Sequence, residues 1–450
     1  MTRPICCKFV FWINFVETES SKLANGSLAA MRHTCVLLLL VVSVPFVAAA
    51  ENWPQWRGPG ARGAAADGDY PVEFSSDKNV AWKVALPGLG CSTPAVWEES
   101  IFVTCGIDGQ DGIVCYDLQG KERWRRQLGL ERPGKHHSGS GSNPSPVTDG
   151  KHVVAYFKSG TVAGITTDGR ELWRVNLQEK YGADSLWWDI ASSPTLSGDR
   201  AFVAVMQAGD SYVVALDLAT GNVLWKVPRR YTCPVESDQA YASPQVVQLD
   251  GRDVLVTLGA DHLTGHDVAT GKLLWECGGF NPDQKGMWRV IASAVIADDV
   301  ALVPYGRGDY LAGIRLGGAG DVTATNRLWE KQGRGLGAEV PTPAVRDGHA
   351  YLLGDSGKLA CLDIESGNEL WSASLPKSRK RFYSSPLLAG DKLYCPREDG
   401  VIFVGRVRND GFELLADNND MGEPTVAAPV PLEDGLLIRG REHLFRVGQP

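Results

Sequence analysis

Tryptophan recurs at a nearly constant spacing along most of this 450-residue chain. Seven of its 14 tryptophans follow one another at intervals of 42, 49, 52, 50, 54 and 42 residues, at Trp82, Trp124, Trp173, Trp225, Trp275, Trp329 and Trp371. The phrase that ends at Trp225, Ala-Leu-Asp-Leu-Ala-Thr-Gly-Asn-Val-Leu-Trp, returns with small changes before Trp275 and Trp371. It is typical of two strands joined by an Asp-led turn whose glycine adopts a positive φ. A unit of this period predicts a repeat architecture in place of two or three ordinary domains.

A second marker falls between the tryptophans, a Ser-Pro or Thr-Pro pair or a close variant of one. It occurs eight times, at Thr93-Pro94, Ser145-Pro146, Ser193-Pro194, Ser243-Pro244, Ser293-Ala294, Thr342-Pro343, Ser385-Pro386 and Ala428-Pro429. Short apolar runs separated by Gly and Asp turns follow each marker, which indicates four short antiparallel strands, A to D, in each unit. Such units stack around a channel in β-propellers. We therefore expect an all-β fold, an eight-bladed propeller of four-stranded blades.

The two ends of the repeat region complement each other. The eighth unit shows three strands, at 426–431, 435–439 and 443–447, with no fourth strand after them. An isolated strand with its own tryptophan, Asn79 to Leu86, precedes the first marker. The sequence thus predicts that this N-terminal strand completes blade eight and closes the ring. In blade seven, the fourth strand is predicted at Gly411 to Leu415, with leucine in place of tryptophan.

The first 50 residues have the pattern of a secretory signal. Met31-Arg32-His33 is a short basic start, Thr34 to Val47 is almost continuously apolar, and three alanines follow at 48–50. These features predict a signal peptide that starts at Met31 and is removed, an N-terminal arm at 51–78 and the propeller at 79–450. No later segment approaches the ~20 apolar residues of a membrane span, so we expect a secreted or periplasmic protein.

Charge and cysteine content exclude several classes of function. The formal net charge is −8, which attracts neither nucleic acid nor an anionic membrane. Seven cysteines follow the predicted signal, with no CxxC, haem-attachment or His/Cys metal spacing among them and none placed for a lipid anchor. We expect at least one free thiol, mostly buried cysteines and no metal site.

The repeated phrase resembles the tryptophan-docking motif of the pyrroloquinoline-quinone (PQQ) repeat family. The resemblance covers roughly Asn79 to Val447, and it is closest at 215–225, 265–275 and 361–371. The family contains eight-bladed quinoprotein dehydrogenases and BamB-like scaffolds of outer-membrane assembly, so the resemblance is specific for fold and weak for activity. The opening Asn52-Trp-Pro-Gln-Trp-Arg-Gly-Pro59 also resembles that of secreted bacterial members of unassigned function.

A candidate site lies where the blades differ from one another. The D-to-A connections emerge on one face beside the channel, and they are long, which favours function there. Counting back five residues from each marker gives Leu89, Gly141, Asp189, Gln239, Arg289, Ala338, Arg381 and Pro424. With their neighbours, they yield these candidate ligand-binding residues: Trp188, Tyr241, Trp288, Arg289, Glu339, Arg381 and Tyr383. Aromatic faces with arginines suit a planar or anionic ligand, although the same residues could fill the channel mouth and pair among themselves.

Two functions follow from the resemblance. The favoured one is a monomeric binding scaffold that presents the loop face, with its basic run at 377–381, to a protein, a peptide or an anionic glycan, without a cofactor. The alternative is a dehydrogenase of alcohols or sugars that holds PQQ and Ca²⁺, with Asp189 or Asp238 as the base. The part of the chain after the predicted signal departs from the enzymes in lacking their vicinal cysteine pair and a haem-attachment motif, and in being shorter.

Overall fold

Eight four-stranded antiparallel sheets follow one another in the computed structural model, which describes residues 52–448. The predicted signal peptide lies outside the described residues. In chain order, the strands of blades 1 to 4 are Ala95–Trp97, Ser100–Ile107, Gln110–Asp117 and Glu122–Leu130; Val147–Thr148, His152–Tyr156, Thr161–Thr166 and Glu171–Asn176; Thr195–Ser197, Arg200–Val205, Tyr212–Asp217 and Val223–Pro228; and Gln245–Leu249, Arg252–Gly259, His262–Asp267 and Leu273–Gly278. The predicted propeller is confirmed.

Blades 5 to 8 repeat the plan with small additions. Their strands are Val295–Ala297, Val300–Tyr305, Tyr310–Arg315 and Arg327–Gln332; Ala344–Arg346, His349–Leu353, Lys358–Asp363 and Glu369–Ser374; Leu387–Ala389, Lys392–Pro396, Val401–Arg408 and Gly411–Asp420; and Val430–Leu432, Gly435–Arg439, His443–Gly448 and Val80–Ala85. The insertion of blade 5 adds a two-residue strand at Gly320–Asp321 and an α-helical turn at Thr323–Asn326, and a 3₁₀ turn at Gly306–Gly308 lies in the same blade. Earlier in the chain, the N-terminal arm contains the 3₁₀ turn Pro59–Ala61 and the strand Ala64–Ala65, and the α-helical turn Leu177–Tyr181 follows blade 2. Among the described residues, no helix is long and apolar enough to cross a bilayer.

The ring closes through the N-terminal strand. Val80–Ala85 pairs antiparallel with His443–Gly448, with Trp82 opposite Arg446 and Val84 opposite Leu444. This confirms the predicted closure. The fourth strand of blade seven is longer than predicted, because register shifts within Gly411–Asp420 carry its pairing beyond Leu415, so the connection to blade eight is shorter than expected.

The repeated tryptophans dock each blade onto the next. The Trp173 Nε1 donates to the Leu218 carbonyl at 2.8 Å, and the indole lies so close to Gly221 that an added Cβ would stand 2.6 Å from the ring. Five other tryptophans donate to a carbonyl of the next blade in the same way: Trp82, Trp124, Trp225, Trp329 and Trp371. Trp275 is buried, but its Nε1 has no acceptor among the described residues. The next blade carries an insertion there, whose short strand Gly320–Asp321 pairs with Trp275 and Glu276.

The hydroxyls of the Ser/Thr-Pro markers form a hydrogen-bonded circle around the channel. The Ser193 amide donates to the Ser243 Oγ at 2.9 Å, and the Ser243 amide donates to the Ser293 Oγ at the same distance. Equivalent bonds of 2.9 to 3.2 Å join the other markers in turn: Thr93 to Ser145, Ser145 to Ser193, Ser293 to Thr342, Thr342 to Ser385, and Ala428 to Thr93. Because Ala428 has no hydroxyl, the marker of blade eight offers no acceptor to Ser385. The marker is thus a packing device that sets neighbouring A strands side by side.

The N-terminal arm fills the channel at the level of the A strands. It touches strand A of seven blades in sequence, beginning with the bridge between Trp53 and Val96 in blade 1 and ending with Ala64–Ala65 alongside Leu387–Ala389 in blade 7. Between these ends, the arm contacts blades 2, 3, 4, 5 and 6. Arg57 is buried in this segment, and its guanidinium donates to the Pro343 and Pro386 carbonyls at the start of two A strands. The arm thereby occupies the channel alongside the A strands.

Candidate functional site

A cavity of about 560 Å³ opens between the D-to-A connections, on the side that we call the loop face. Its floor is Trp56 of the N-terminal arm together with the hydroxyls of the marker circle. Seven residues predicted from the sequence line this one cavity: Trp188, Asp189, Tyr241, Arg289, Glu339, Arg381 and Tyr383. Trp188 and Arg289 precede different blades, yet their loops fold inward until the guanidinium lies 6.0 Å from the indole ring centre. The cavity is of the size that holds a small ligand or a chain segment.

Arg289 is held by two carboxylates. Its guanidinium donates to both oxygens of Glu236, at 2.9 and 3.0 Å, and to the Glu339 Oε1 at 2.8 Å. The Glu236 side chain is fully buried and also accepts from the Trp188 Nε1 at 3.1 Å. Glu339, the second carboxylate of this cluster, also forms an ion pair with Arg307 at 3.0 Å. Arg289 therefore ties three loops together, and its charge is already balanced.

The carboxylate oxygens of Asp189 are also occupied by donors. Asp189 forms an ion pair with Lys158 at 2.6 Å, and both side chains are buried. Its carboxylate also accepts from the backbone amides of Lys135 and His136 at 2.8 to 3.0 Å. A general base needs a free lone pair aimed at a substrate proton, and these donors occupy the oxygens of Asp189.

The opposite wall of the cavity has a different charge balance. Arg381 and Lys358 both line it, and neither forms an ion pair with a carboxylate between residues 52 and 448. Asp355 stands on the same wall, where its Oδ1 accepts from the amides of Glu339 and Val340. Burial raises the pKa of Asp355 to about 6. Arg381 and Lys358 thus line this wall without an ion pair, although the Lys358 Nζ donates to the Gly335 carbonyl at 3.4 Å and Arg381 acts electrostatically on Asp355.

Aromatic rings cross the cavity mouth. The His136 ring meets Trp188 edge-on at 5.6 Å and Tyr383 edge-on at 6.0 Å, and His137 lies 4.2 Å away on a third side. Burial, with a smaller effect from His137, lowers the pKa of His136. The His136 ring therefore forms an aromatic bridge between the two walls.

Two predicted residues lie elsewhere. Trp288 is buried behind Arg289, edge-on to Tyr305 at 6.3 Å and pressed against Gly306, because its side chain turns into the core of blades 4 and 5. Asp238 lines a separate pocket of about 130 Å³ with Tyr231 and Cys233. The alternative that we left open, pairing among the mouth residues themselves, describes Arg289 and Glu339 but does not describe Arg381.

Sequence reasoning missed several residues of the cavity. Asp355 lies in the B-to-C turn of blade 6, and Lys358 begins the strand after that turn. Lys158, which pairs with Asp189, lies in the B-to-C turn of blade 2. These turns reach the same face as the D-to-A connections, so counting them as well would have found these residues. Trp56 gave no such signal, because nothing in the arm's sequence shows that it enters the channel. The seven described cysteines are all free, and five are buried, as expected.

Comparisons with known proteins agree with this architecture. The family profile described as "Outer membrane protein assembly factor BamB" matches residues 64–230, 166–319 and 317–411. Relatives of that name from Yersinia pestis and Salmonella typhimurium are 23% and 25% identical, over 66% of this chain and 72% and 71% of theirs.

Solved structures show the same fold. BamB from Moraxella catarrhalis has a TM-score of 0.56 at 15% identity, over 82% of this chain and 99% of its own. The quinohemoprotein alcohol dehydrogenase of Comamonas testosteroni has a TM-score of 0.63 at 13% identity, over 89% of this chain and 81% of its own. Because the profile matches most of the propeller, and the docking tryptophans join its blades in the way the repeat requires, the chain belongs to the PQQ-repeat β-propeller family of BamB.

Proposed function

We propose that this protein is a binding scaffold of the cell envelope, which takes an anionic group of its partner into the loop-face cavity. The observation that carries this proposal is the open wall of the cavity, where Arg381 and Lys358 face a concave space and neither forms an ion pair with a described carboxylate. Cations placed in a cavity with low-dielectric walls attract and orient an anion strongly. The description of the relatives as assembly factors supports a protein partner and an envelope location.

The cavity's carboxylates argue against the dehydrogenase alternative. Ca²⁺ takes six to eight oxygen ligands. Asp189 and Glu339, however, have their oxygens occupied by Lys158, Arg289 and Arg307 and by backbone amides. A divalent cation would have to displace these donors, and it would meet the positive charge of the arginines. The residues present do not fit a Ca²⁺-bound quinone, and we derive no oxidation step.

The scaffold proposal can be tested by site-directed photo-cross-linking in cells. A photoreactive phenylalanine replaces Lys380, which is exposed in the connection that carries Arg381, or Lys151, which is exposed in an A-to-B turn on the opposite face. We expect a discrete adduct from position 380 that is lost on Arg381→Gln, and none from position 151. The proposal would be contradicted if adducts formed only from position 151, or if adducts from position 380 persisted in the Arg381→Gln variant.

The same protein tests the alternative. Stoichiometric binding of PQQ in the presence of Ca²⁺, together with dye-linked oxidation of an alcohol or a sugar, would favour the dehydrogenase function over the scaffold function.

A further inference from the structure

An apolar surface adjoins the cavity mouth on the side opposite Arg381. Four large side chains form this apolar rim, Trp187, Trp188, Val235 and Met287, with exposed fractions of 47%, 39%, 64% and 42%. They belong together, because the Met287 amide donates to the Val235 carbonyl at 2.8 Å and Trp188 donates to Glu236, the neighbour of Val235. Trp188 also lines the cavity, so the rim and the cavity form one continuous surface.

The backbone of the rim is strained at two residues. Glu236 and Met287 have φ of 64° and 66°, a left-handed conformation that residues other than glycine rarely adopt. Such strain persists only where the surroundings impose it, and here the buried Glu236–Arg289 pair and the bond from Trp188 fix the loop. The loop therefore presents Met287 to solvent through a conformation that an unconstrained loop would avoid.

The floor of the cavity limits what can enter it. The N-terminal arm occupies the channel alongside the A strands, and its Trp56 lines the cavity. An internal segment of a polypeptide would have to enter the cavity as a hairpin, because both of its ends would leave by the same mouth. A chain end needs to enter only once. A chain end brings one carboxylate, and Arg381 and Lys358 are two cations of the cavity wall that form no ion pair with a described carboxylate.

We propose that the cavity captures the carboxyl-terminal end of a polypeptide, with its terminal carboxylate at Arg381 and Lys358 and its last apolar side chains on the apolar rim. This inference rests on the scaffold function proposed above and specifies its partner. Capture of a terminal carboxylate is an established mode of peptide recognition. An anionic glycan would use the cations and the tryptophan faces, but it would gain little from the aliphatic Val235 and Met287, so we favour the peptide.

The test measures fluorescence anisotropy of the full-length protein with labelled peptides. The probe is a fluorescein-labelled pool of hexapeptides whose last two positions are randomised over Leu, Ile, Val, Met, Phe and Tyr, made with a free carboxylate or with a carboxamide. We expect the free-carboxylate pool to bind about tenfold more tightly or better, because a bidentate charged hydrogen bond is lost in the carboxamide.

Matched variants assign the two halves of the site. Arg381→Gln should weaken binding of the free-carboxylate pool about tenfold, while Arg379→Gln, two positions away and exposed outside the cavity, should leave binding unchanged. Val235→Ser should weaken both pools by a similar factor of several-fold, and Leu130→Ser, an exposed leucine outside the rim, should have no effect.

Three outcomes would overturn the inference: equal affinity for the two pools, no binding of either, or binding of a carboxylated or sulfated oligosaccharide that the free-carboxylate pool does not displace. The scaffold proposal has a separate readout, because adducts from position 380 that depend on Arg381 would survive each of these results. Loss of those adducts would instead remove the scaffold function itself.

Discussion

Two arginines that occupy equivalent positions of the loop face play different parts. Arg289 neutralises Glu236, whose side chain is fully buried, whereas Arg381 is exposed and has no ion pair in the described part of the chain. Removal of one partner of a buried pair leaves an uncompensated charge, so Arg289→Ala should lower the free energy of unfolding by about 3 to 5 kcal/mol. Arg381→Ala should change it by less than about 0.5 kcal/mol. Urea denaturation of both variants measures the difference, and equal stability would mean that Arg289 is not a structural residue.

Asp355 makes stability depend on pH. Burial raises its pKa from 3.8 to about 6, so folding takes up a proton between these values, and the free energy of unfolding falls as pH rises through the window from about 4 to about 6. Asp355→Asn keeps an oxygen for the amides of Glu339 and Val340 and removes the titration. We expect this variant to gain roughly 1 to 3 kcal/mol over the wild type at pH 7 and much less at pH 4. Asp410→Asn, at an exposed turn, is the control; a parallel pH profile for Asp355→Asn would refute the assignment.

The docking turns show which elements can be read from the sequence. At Gly221, φ is 71° and an added Cβ would stand 2.6 Å from the Trp173 ring. At Gly198, φ is 56° and an added Cβ would have no neighbouring atom within 4 Å. Gly198→Ala therefore introduces backbone strain alone, about 1 kcal/mol, and Gly221→Ala adds a clash worth about 1 to 3 kcal/mol more. Thermal unfolding of the two variants tests this difference. Equal melting temperatures would show that the tryptophan does not dock there.

Strand pairing and turns repeat, so the sequence predicted them from few residues. The tryptophan phrase and the Ser/Thr-Pro marker each report a local contact that every blade must make, and counting from them placed Asp189, Arg289 and Arg381 at one cavity. What could not be predicted depends on contacts between distant segments. The partners Glu236 and Lys158 come from other loops, and Trp56 comes from an arm that runs past the A strands of seven blades. These contacts occur once in the chain, so no internal repeat reveals them.

The propeller is a closed ring, and one of its joints lacks a bond that the others have. Each marker hydroxyl accepts an amide from the preceding blade, except between blades 7 and 8, where Ala428 takes the place of a Ser or Thr. The other joint of blade 8, with blade 1, has both the Ala428 to Thr93 bond and the Trp82 dock. The circle is therefore complete apart from one link, at the blade whose strands come from both ends of the propeller.

Ala428→Ser should supply this link. Its hydroxyl would occupy the position from which the other markers accept, so the amide of Ser385 gains an acceptor, and we expect the free energy of unfolding to rise by about 0.5 to 1.5 kcal/mol. The matched variant is Ser243→Ala, which removes one link of the circle. It leaves the buried Ser193 amide without its acceptor and should lower the free energy of unfolding by about 1 to 3 kcal/mol. Both are measured by urea denaturation. If Ser243→Ala proves neutral, the circle does not hold the blades together; if only Ala428→Ser proves neutral, the joint between blades 7 and 8 is held by strand packing, and closure of the ring does not depend on a continuous circle.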